Sequence, residues 1–376
     1  MAISRLCDLA DPAKTARLVL KVGSSLLVER GEPRREWLAG LVREVAGMRE
    51  RGQQVMIVSS GSIALGAARL EMAKGGRASL ADAQAAAAVG QIALSGLWAE
   101  LLASHGLTAA QMLVTLDDLE DRRRYLNATA TLTRLLDAGA VPVINENDSV
   151  ATEEIRFGDN DRLAARVAQA AGADAVVLLS DVDGLFDRDP GQEGATLVPL
   201  AHGVSDEMRA MASAASGSGL GSGGMASKLQ AAEIADLAGI ALAIVNGTRE
   251  RPLATALDAD RGTLVLPTRT EGARKAWLGG RLTTRGTLTV DAGAARALRE
   301  GGSLLAKGVS AIVGTFQRGD AVAIVDPEGK TVAQGLCEYS SQECARLMGH
   351  HSREHASLLG YGPRPAVVHR DQLVLK

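Results

Sequence analysis

The sequence is poor in aromatic residues, which make up only 2% of its 376 positions. Proteins that bind single-stranded nucleic acid commonly stack the bases on aromatic side chains, and few are available here. The formal net charge is −3, so no global basic field attracts polyanions. Nucleic acid is therefore not expected as the main partner.

Cysteine is also scarce, with three residues and no C-x-x-C pair. An odd and widely spaced set argues against a disulfide framework and favours a reducing cytoplasm. The first residues, MAISRLCDLADPAK, lack the apolar core of a signal peptide. We also expect no membrane span, because no apolar run reaches about 18 residues without a charged or polar break.

The chain does contain short, continuous apolar runs that alternate with helical patterns. The runs lie in RLVLKVGSS, QQVMIVSSGS, GAVPVINEND, DAVVLLSDVDG and IALAIVNGT. Such runs indicate parallel strands that are covered on both faces, so the fold class is predicted to be α/β. The Ala-rich run at residues 81–102 predicts a buried helix.

Small polar or charged residues follow each of these predicted strands. They are Lys21 to Ser25, Ser59 to Ser62, Asn145 to Asp148, Ser180 to Gly184 and Asn246 to Thr248. One such end is an ordinary turn, since Asn and Asp are common turn residues. Five ends at the carboxyl edge of a parallel sheet predict a polar ligand-binding crevice.

Two lysines stand beside Gly/Ser-rich segments. Lys21 precedes a Gly-Ser-Ser turn whose backbone N–H groups can bind phosphate oxygens. The run Ser216–Gly224 precedes a helix that is predicted to carry Lys228 in its first turn, where an anion would be favoured. The alternatives are a solvated Lys21 and a flexible Gly/Ser linker. The P-loop motif G-x-x-x-x-G-K-[ST] is absent from the sequence.

The pattern changes after Pro267. A basic, Gly-rich stretch is predicted to be a linker, and short β-rich segments with helices near residues 292–300 and 340–347 follow it. The sequence Asp326-Pro327-Glu328-Gly329 predicts a hairpin turn.

The motifs resemble a known family. In chain order, KVGSS, IVSSGSIALG, VPVINENDSV, FGDNDRLAARVA, LLSDVDGLFDRDP and GSGGMASKLQAA are similar to the glutamate 5-kinase (γ-glutamyl kinase) branch of the amino acid kinase family. The segment from GTLTVD to GYGPRPAVVHRD resembles a C-terminal PUA domain. The resemblance runs from Arg17 to Asp371 and leaves out residues 1–16.

This resemblance implies a fold, a set of domains and a reaction. The fold is an αβα sandwich around a mainly parallel eight-stranded sheet, followed by a small β-rich PUA pseudo-barrel. The implied domains are a kinase domain at residues 1–267, a linker at 268–285 and a PUA domain at 286–371. The implied reaction is phosphorylation of the γ-carboxylate of L-glutamate by ATP and Mg²⁺, the first step of proline biosynthesis.

The resemblance also implies roles for individual residues. Lys21, Lys228 and Asp161 are the expected catalytic residues, with Asp161 organising the two lysines. Ser60, Asp148 and Asn160 are the expected glutamate-binding residues. The expected ATP-binding residues are Lys21, Gly23, Ser24, Ser180, Asp181, Gly223, Gly224 and Lys228, whereas the magnesium ligands stay unknown. The sequence departs from the family pattern at Ser180, where Thr is usual, and in SGSI, which replaces SGAI.

Alternatives remain open at this stage. Another amino acid kinase would act on N-acetylglutamate, aspartate or a small phosphate. An RNA-binding protein based on the PUA-like part is less favoured, because residues 286–376 contain ten Lys/Arg and nine Asp/Glu, a net charge of +1. The family further implies feedback inhibition by proline and a homo-oligomer.

Overall fold

A computed structural model of the chain describes residues 2–150, 159–214, 222–268 and 284–376. The described residues form two compact units, one within residues 1–120 and 128–268 and the other within residues 121–127 and 269–376. Most of the predicted linker, residues 269–283, lies outside the described residues.

The first unit alternates strands and helices, as the apolar runs predict. Its strands are β1 Arg17–Val22, β2 Val28–Glu29, β3 Glu32–Pro33, β4 Gln54–Ser59, β5 Ala109–Val114, β6 Val141–Glu146, β7 Ala175–Ser180, β8 Leu200–His202, β9 Ala241–Asn246 and β10 Thr263–Leu266. Its helices are α1 Ser24–Leu27, α2 Arg35–Glu50, α3 Ser62–Arg69, α4 Leu80–Ala103, α5 Leu116–Glu120, α6 Arg122–Asp137, α7 Asp159–Ala171, α8 Asp206–Ala214, α9 Ser222–Leu237 and α10 Pro252–Asp258. The first residues of α6, up to Asn127, cluster with the second unit.

Eight of these strands form one sheet in the order β5-β6-β4-β1-β7-β9-β10-β8. Six strands from β5 to β9 in this order are parallel, β10 is antiparallel to β9, and β8 is parallel to β10. Alternate strand residues such as Leu18, Leu20 and Val22 join a core with α2, α4 and α10. Helices α7 and α9 contact the strands as well. The predicted mainly parallel eight-stranded α/β fold is confirmed.

The N-terminal segment is part of this unit, although the sequence assigned it no role. Leu6 and Leu9 are buried in the same core. The backbone N–H of Leu6 donates to Asp260 at 3.0 Å. The buried Gln53 amide donates to the carbonyls of Leu9 and Thr15 at 2.9 and 2.8 Å. These contacts fix the segment ahead of β1.

Asp8 closes a local network in this segment. One of its carboxylate oxygens accepts from the backbone N–H groups of Ser4 and Arg5 at 2.7 and 3.0 Å, and the other binds Lys14 at 2.6 Å. Burial by itself would raise the pKa of Asp8. Lys14 and these N–H groups outweigh that effect, so the pKa of Asp8 lies well below its usual range. A carboxyl with a depressed pKa stabilises the fold above its unfolded-state pKa and loses that contribution as the pH falls.

We therefore expect Asp8→Asn to lower the free energy of unfolding by about 1 kcal/mol at pH 7. The difference from wild type should shrink below about pH 4, where the Asp8 carboxyl of the unfolded chain begins to take up a proton while that of the folded chain stays ionised. Urea unfolding between pH 3 and 8 measures both effects, with the exposed Asp137→Asn as a control. A difference that does not change with pH would show that the Asp8 charge does not contribute.

Helix α4 is where the Ala-rich run predicts a helix, but its burial is one-sided. Leu94, Leu97 and Trp98 pack into the core, whereas Ile92 is 75% exposed. Alanine occurs at both buried and solvent-exposed positions of helices, so the Ala-rich run did not indicate which face of α4 is exposed. By length and composition α4 is the one described helix that could cross a membrane, and 44% of its most apolar window is buried within the protein. Helices in protein cores pass the same test, so the indication is weak.

The second unit is a small β-rich fold with its own core. Its strands are β11 Gly286–Val290, β12 Val309–Gly314, β13 Ala321–Val325, β14 Thr331–Leu336 and β15 Leu373–Leu375. They form one sheet in the order β12-β11-β13-β14-β15. Its further helices are α11 Ala292–Arg299, α12 Ser341–Leu347 and α13 His355–Leu359.

The predicted hairpin turn joins β13 and β14. The N–H of Gly329 donates to the Asp326 carbonyl at 3.0 Å, and Gly329 has a φ of 83°. Glycine adopts this left-handed conformation without strain, which explains why the turn signal was reliable.

Candidate active site

The five polar strand ends lie at one edge of the sheet. Strands β6, β4, β1, β7 and β9 are consecutive neighbours in the sheet and all run parallel. Their carboxyl ends therefore meet, as the sequence predicts, and they form the crevice in which ligands bind in open parallel sheets.

Two lysines share one carboxylate at this edge. Lys21 Nζ lies 2.7 Å from Asp161 Oδ1, and Lys228 Nζ lies 3.1 Å from Asp161 Oδ2. The Ser227 hydroxyl donates to the same Oδ2 at 2.9 Å. Asp161 is 1% exposed, while Lys21 and Lys228 are 7% and 8% exposed. The predicted organising acid thus lies between the two predicted lysines.

The electrostatics of these three groups are coupled. Burial and the neighbouring Lys228 ammonium lower the pKa of Lys21, and the Asp161 carboxylate opposes that lowering. Burial raises the pKa of Asp161, but the two lysines lower it to below its usual range. Two positive charges are therefore held close together by one negative charge, which leaves a net positive site for an anion.

Glycines lie next to both ammonium groups. A Cβ added at Gly23 would lie 3.5 Å from Lys21 Nζ, and one added at Gly224 would lie 3.9 Å from Lys228 Nζ. Helix α9 begins at Ser222, so Gly223 and Gly224 are in its first turn and Lys228 is its seventh residue. Lys228 is thus in the second turn rather than the first, because the helix starts before the two glycines. Residues 215–221 of the Gly/Ser run lie outside the described residues.

Ser180 and Asp181 mark the end of β7. The Ser180 hydroxyl donates to Asp181 Oδ1 at 3.2 Å. Asp181 is exposed, and its charge favours the protonated form of Lys21. Ser24 begins α1, directly after Gly23. The structure therefore brings the predicted nucleotide residues of β1 and β7 to adjacent strands.

The ends of β4 and β6 lie on the side of β1 that is opposite β7. There Asn160 of α7 contacts Ser60, which follows β4. Asn160 Nδ2 donates to the Ser60 hydroxyl at 2.7 Å and to Asn145 Oδ1 at 3.3 Å. The other amide atom, Asn160 Oδ1, is buried and has no hydrogen-bond partner among the residues that the structure describes. A buried acceptor without a partner is costly, and a bound donor would relieve that cost.

Asp148 is linked to this group through Ser62 and Asn145. The Ser62 hydroxyl donates to Asp148 Oδ2 at 3.2 Å and accepts from Asn145 Nδ2 at 3.2 Å. Asn145 Nδ2 also donates to Gln91 Oε1 of α4 at 2.9 Å. Ser60, Asp148 and Asn160 are therefore part of one polar network.

The sequence-based site set did not include every member of this cluster. Asn145 and Ser62 stand in two of the polar strand ends, so a signal was present. Ser227 adjoins Lys228 in the chain. Gln91 lies in the middle of an Ala-rich helix, and no local pattern distinguished it from a solvent-facing glutamine.

No group of three or more His, Cys, Asp or Glu side chains that could hold a metal is found within the described ranges. Mg²⁺ is commonly bound by one or two carboxylates together with substrate phosphates and water. Asp181 is an exposed carboxylate beside Lys21 that could provide such a contact.

Comparison with known proteins agrees with the geometry. The amino acid kinase family model matches residues 16–246, and the PUA domain model matches residues 286–359. The chain therefore belongs to the amino acid kinase family.

Full-length relatives refine this classification. The chain is 67% identical to the glutamate 5-kinase of Novosphingobium aromaticivorans, and the match covers 100% of both chains. It is 59% identical to that of Sphingopyxis alaskensis, over 98% of this chain and 100% of the relative. It is 53% identical to that of Zymomonas mobilis, over 97% and 92%. The resemblance that the motifs indicate is confirmed.

Among solved structures, a UMP kinase from Bacillus anthracis aligns with 68% of this chain and 97% of its own, with a TM-score of 0.45 and 16% identity. A score at that level adds nothing to the family assignment.

Proposed function

We propose that the protein transfers the γ-phosphoryl group of ATP to the γ-carboxylate of L-glutamate and so forms L-glutamyl 5-phosphate and ADP. This reaction is the first step of proline biosynthesis. The observation that carries the proposal is the Lys21–Asp161–Lys228 array at the carboxyl edge of the sheet. The full-length relatives named glutamate 5-kinase support the choice of substrate.

The chemistry requires positioning and charge neutralisation more than covalent catalysis. The γ-carboxylate of glutamate is ionised at pH 7, so it attacks Pγ without a general base, and the bond from Pγ to the β,γ-bridging oxygen breaks as ADP leaves. In this proposal Lys21 and Lys228 contact the transferred group and the leaving phosphate. Asp161 holds both ammonium groups within 3.1 Å of its carboxylate, so that they act on the same phosphoryl group.

ATP would lie against the loops that follow β1 and β7 and the start of α9. The N–H groups of Gly23 and Ser24 and those of Gly223 and Gly224 would donate to phosphate oxygens. Ser180 and Asp181 would contact the nucleotide. When bound, Mg²⁺ would neutralise phosphate charge, and Asp181 is an exposed carboxylate that could share in holding it.

Glutamate would lie against Ser60, Asp148 and Asn160. Both amide hydrogens of Asn160 are directed at Ser60 and Asn145, so its buried Oδ1 is the atom left for a donor such as the substrate ammonium. The Ser60 hydroxyl accepts from Asn160 and keeps its own hydrogen for the α-carboxylate. Asp148 supplies the negative charge for the ammonium.

Replacing Asp148 with alanine is expected to raise the glutamate KM about 10–100-fold, because a hydrogen bond between charged groups is lost. The ATP KM should change little, since Asp148 is on the amino-acid side of Lys21. Initial-rate kinetics with each substrate varied in turn measure the difference, and Ser149→Ala serves as the neighbouring control. Equal increases in both KM values would mean that Asp148 only shapes the loop.

Two other functions make different demands on the site. A kinase for N-acetylglutamate binds an amide in place of the ammonium and has no use for the paired acceptors of Asp148 and Asn160. An RNA-binding function would depend on the second unit, whose sequence from residue 286 onward carries a net charge of only +1, from ten Lys/Arg and nine Asp/Glu. The paired acceptors therefore favour glutamate over an N-acylated substrate, and the buried lysine pair favours a kinase over an RNA-binding protein.

The proposal also includes expectations about regulation, location, assembly and domains. Proline is expected to compete with glutamate as a feedback inhibitor, and the protein is expected to be a cytoplasmic homo-oligomer without a role for nucleic acid or a membrane. The domains are proposed to be a kinase domain at 1–267, a linker at 268–285 and a PUA domain at 286–371. The two compact units and the two family matches support this division.

A further inference from the structure

Ser62 links two residues of the proposed glutamate pocket, Asn145 and Asp148. It is the first residue of α3 and is 2% exposed. Its hydroxyl lies 3.2 Å from Asn145 Nδ2 and 3.2 Å from Asp148 Oδ2. The motif SGSI has serine where the family resemblance implies alanine.

The chemistry of the three groups fixes the direction of both hydrogen bonds. Asn145 Nδ2 can only donate, and an ionised Asp148 carboxylate can only accept. The hydroxyl of Ser62 therefore accepts from Asn145 and gives its single hydrogen to Asp148. Because an alanine side chain can do neither, the link exists only with a hydroxyl at this position.

The backbone around Ser62 is held in place by close helix packing. A Cβ added at Gly90 of α4 would lie 1.8 Å from the Ser62 carbonyl oxygen, and one added at Gly66 would lie 1.7 Å from the Ala86 carbonyl oxygen. The backbones of α3 and α4 are therefore in close contact at these two glycines. This contact leaves the backbone of Ser62 little freedom to shift. Asn145 is fixed from α4 as well, because its Nδ2 donates to Gln91 Oε1.

We propose that Ser62 is a positioning residue that orients the Asp148 carboxylate for the α-ammonium group of the substrate. The inference rests on the proposed glutamate kinase function and adds a specificity determinant to it. With the link in place, Asp148 Oδ2 is tied to α3, and the carboxylate keeps one orientation toward the pocket. Without it, this restraint on the carboxylate is lost and more of its ordering falls on substrate binding, which lowers affinity.

The effect should depend on the ammonium group. Ser62→Ala is expected to raise the glutamate KM about 10-fold, in the range of one hydrogen bond to a charged group. The ATP KM and kcat should stay within about twofold, because the lysine pair is untouched. Glutarate, which lacks the α-ammonium, should inhibit wild type and Ser62→Ala with equal Ki. A merely structural role would weaken glutarate binding as much as glutamate binding.

The test is steady-state ADP release with glutamate varied, combined with glutarate inhibition, for wild type, Ser62→Ala, Ser62→Thr and Ser104→Ala. Ser104 is an exposed serine at the end of α4 and is the matched control. Ser62→Thr keeps a hydroxyl and should restore most of the glutamate affinity.

The outcomes separate the role of Ser62 from the proposed kinase function. A selective, roughly 10-fold rise in the glutamate KM with an unchanged glutarate Ki supports the role of Ser62. An unchanged glutamate KM, or an equal rise in the glutarate Ki, overturns that role while leaving the kinase function intact. A wild-type protein that releases no glutamate-dependent ADP overturns both.

Discussion

Lys21→Ala and Lys228→Ala should each lower kcat by about 10²–10³-fold or more, or about 2.7–4 kcal/mol in activation free energy. Each lysine is buried and lies within 3.1 Å of Asp161. A water molecule that took the place of its ammonium group would not supply the positive charge. The charge that each supplies becomes more important as the γ-phosphoryl group separates from ADP. The loss should therefore appear in kcat more than in KM.

The measurement is the rate of ADP release at saturating ATP and glutamate. Lys307→Ala removes an exposed lysine of the second unit and should leave the rate unchanged. Thermal unfolding of each variant shows whether it is folded. A folded Lys21→Ala or Lys228→Ala protein with a nearly normal kcat would exclude that lysine from phosphoryl transfer.

Asp161→Asn should affect stability and activity together. The substitution preserves shape but leaves two buried ammonium groups without their shared counter-charge, and breaking a buried ion pair typically costs about 3–5 kcal/mol. The free energy of unfolding should fall by about 3 kcal/mol at pH 7, at the lower end of that range, because both lysines keep some exposure to solvent. We expect kcat to fall by at least about 10²-fold as the lysines lose their positions.

The pH profile of the same variant gives a sharper test. The Asp161 carboxylate raises the pKa of Lys21 against the lowering by burial and by Lys228. Without that charge the pKa of Lys21 falls further, so Lys21 loses its proton at a lower pH. The alkaline limb of the kcat profile should therefore move to lower pH in Asp161→Asn. An alkaline limb at the wild-type position, together with normal stability, would contradict the central role of Asp161.

The sequence predicted those parts of the fold that depend on continuous or local patterns. The apolar runs at β1, β4, β6, β7 and β9 were sufficient to identify a parallel sheet, because strands buried on both faces leave an unbroken apolar signature. The polar residues that follow them indicated the ligand-binding edge. The antiparallel direction of β10 was not predicted, because its four residues carry no pattern that encodes strand direction.

The polar network of the pocket was less predictable because it depends on contacts between distant segments. Asn145 Nδ2 meets Gln91, which is 54 residues away, and Asp148 meets Ser62, which is 86 residues away. No spacing rule relates such positions. The burial of Gln53 and the docking of the N-terminal segment are of the same kind, since a glutamine amide that binds two backbone carbonyls resembles an ordinary polar side chain in the sequence.

The central claim is that the unblocked amino acid glutamate is the phosphoryl acceptor at the Lys21–Asp161–Lys228 array. The most direct test is to incubate the protein with ATP, Mg²⁺ and hydroxylamine together with L-glutamate, N-acetyl-L-glutamate, L-aspartate or no acid. ADP release and hydroxamate formation are then measured. The account predicts hydroxamate with L-glutamate alone, because the acyl phosphate forms there and hydroxylamine traps it. Hydroxamate with N-acetyl-L-glutamate or L-aspartate, and none with L-glutamate, would contradict the account.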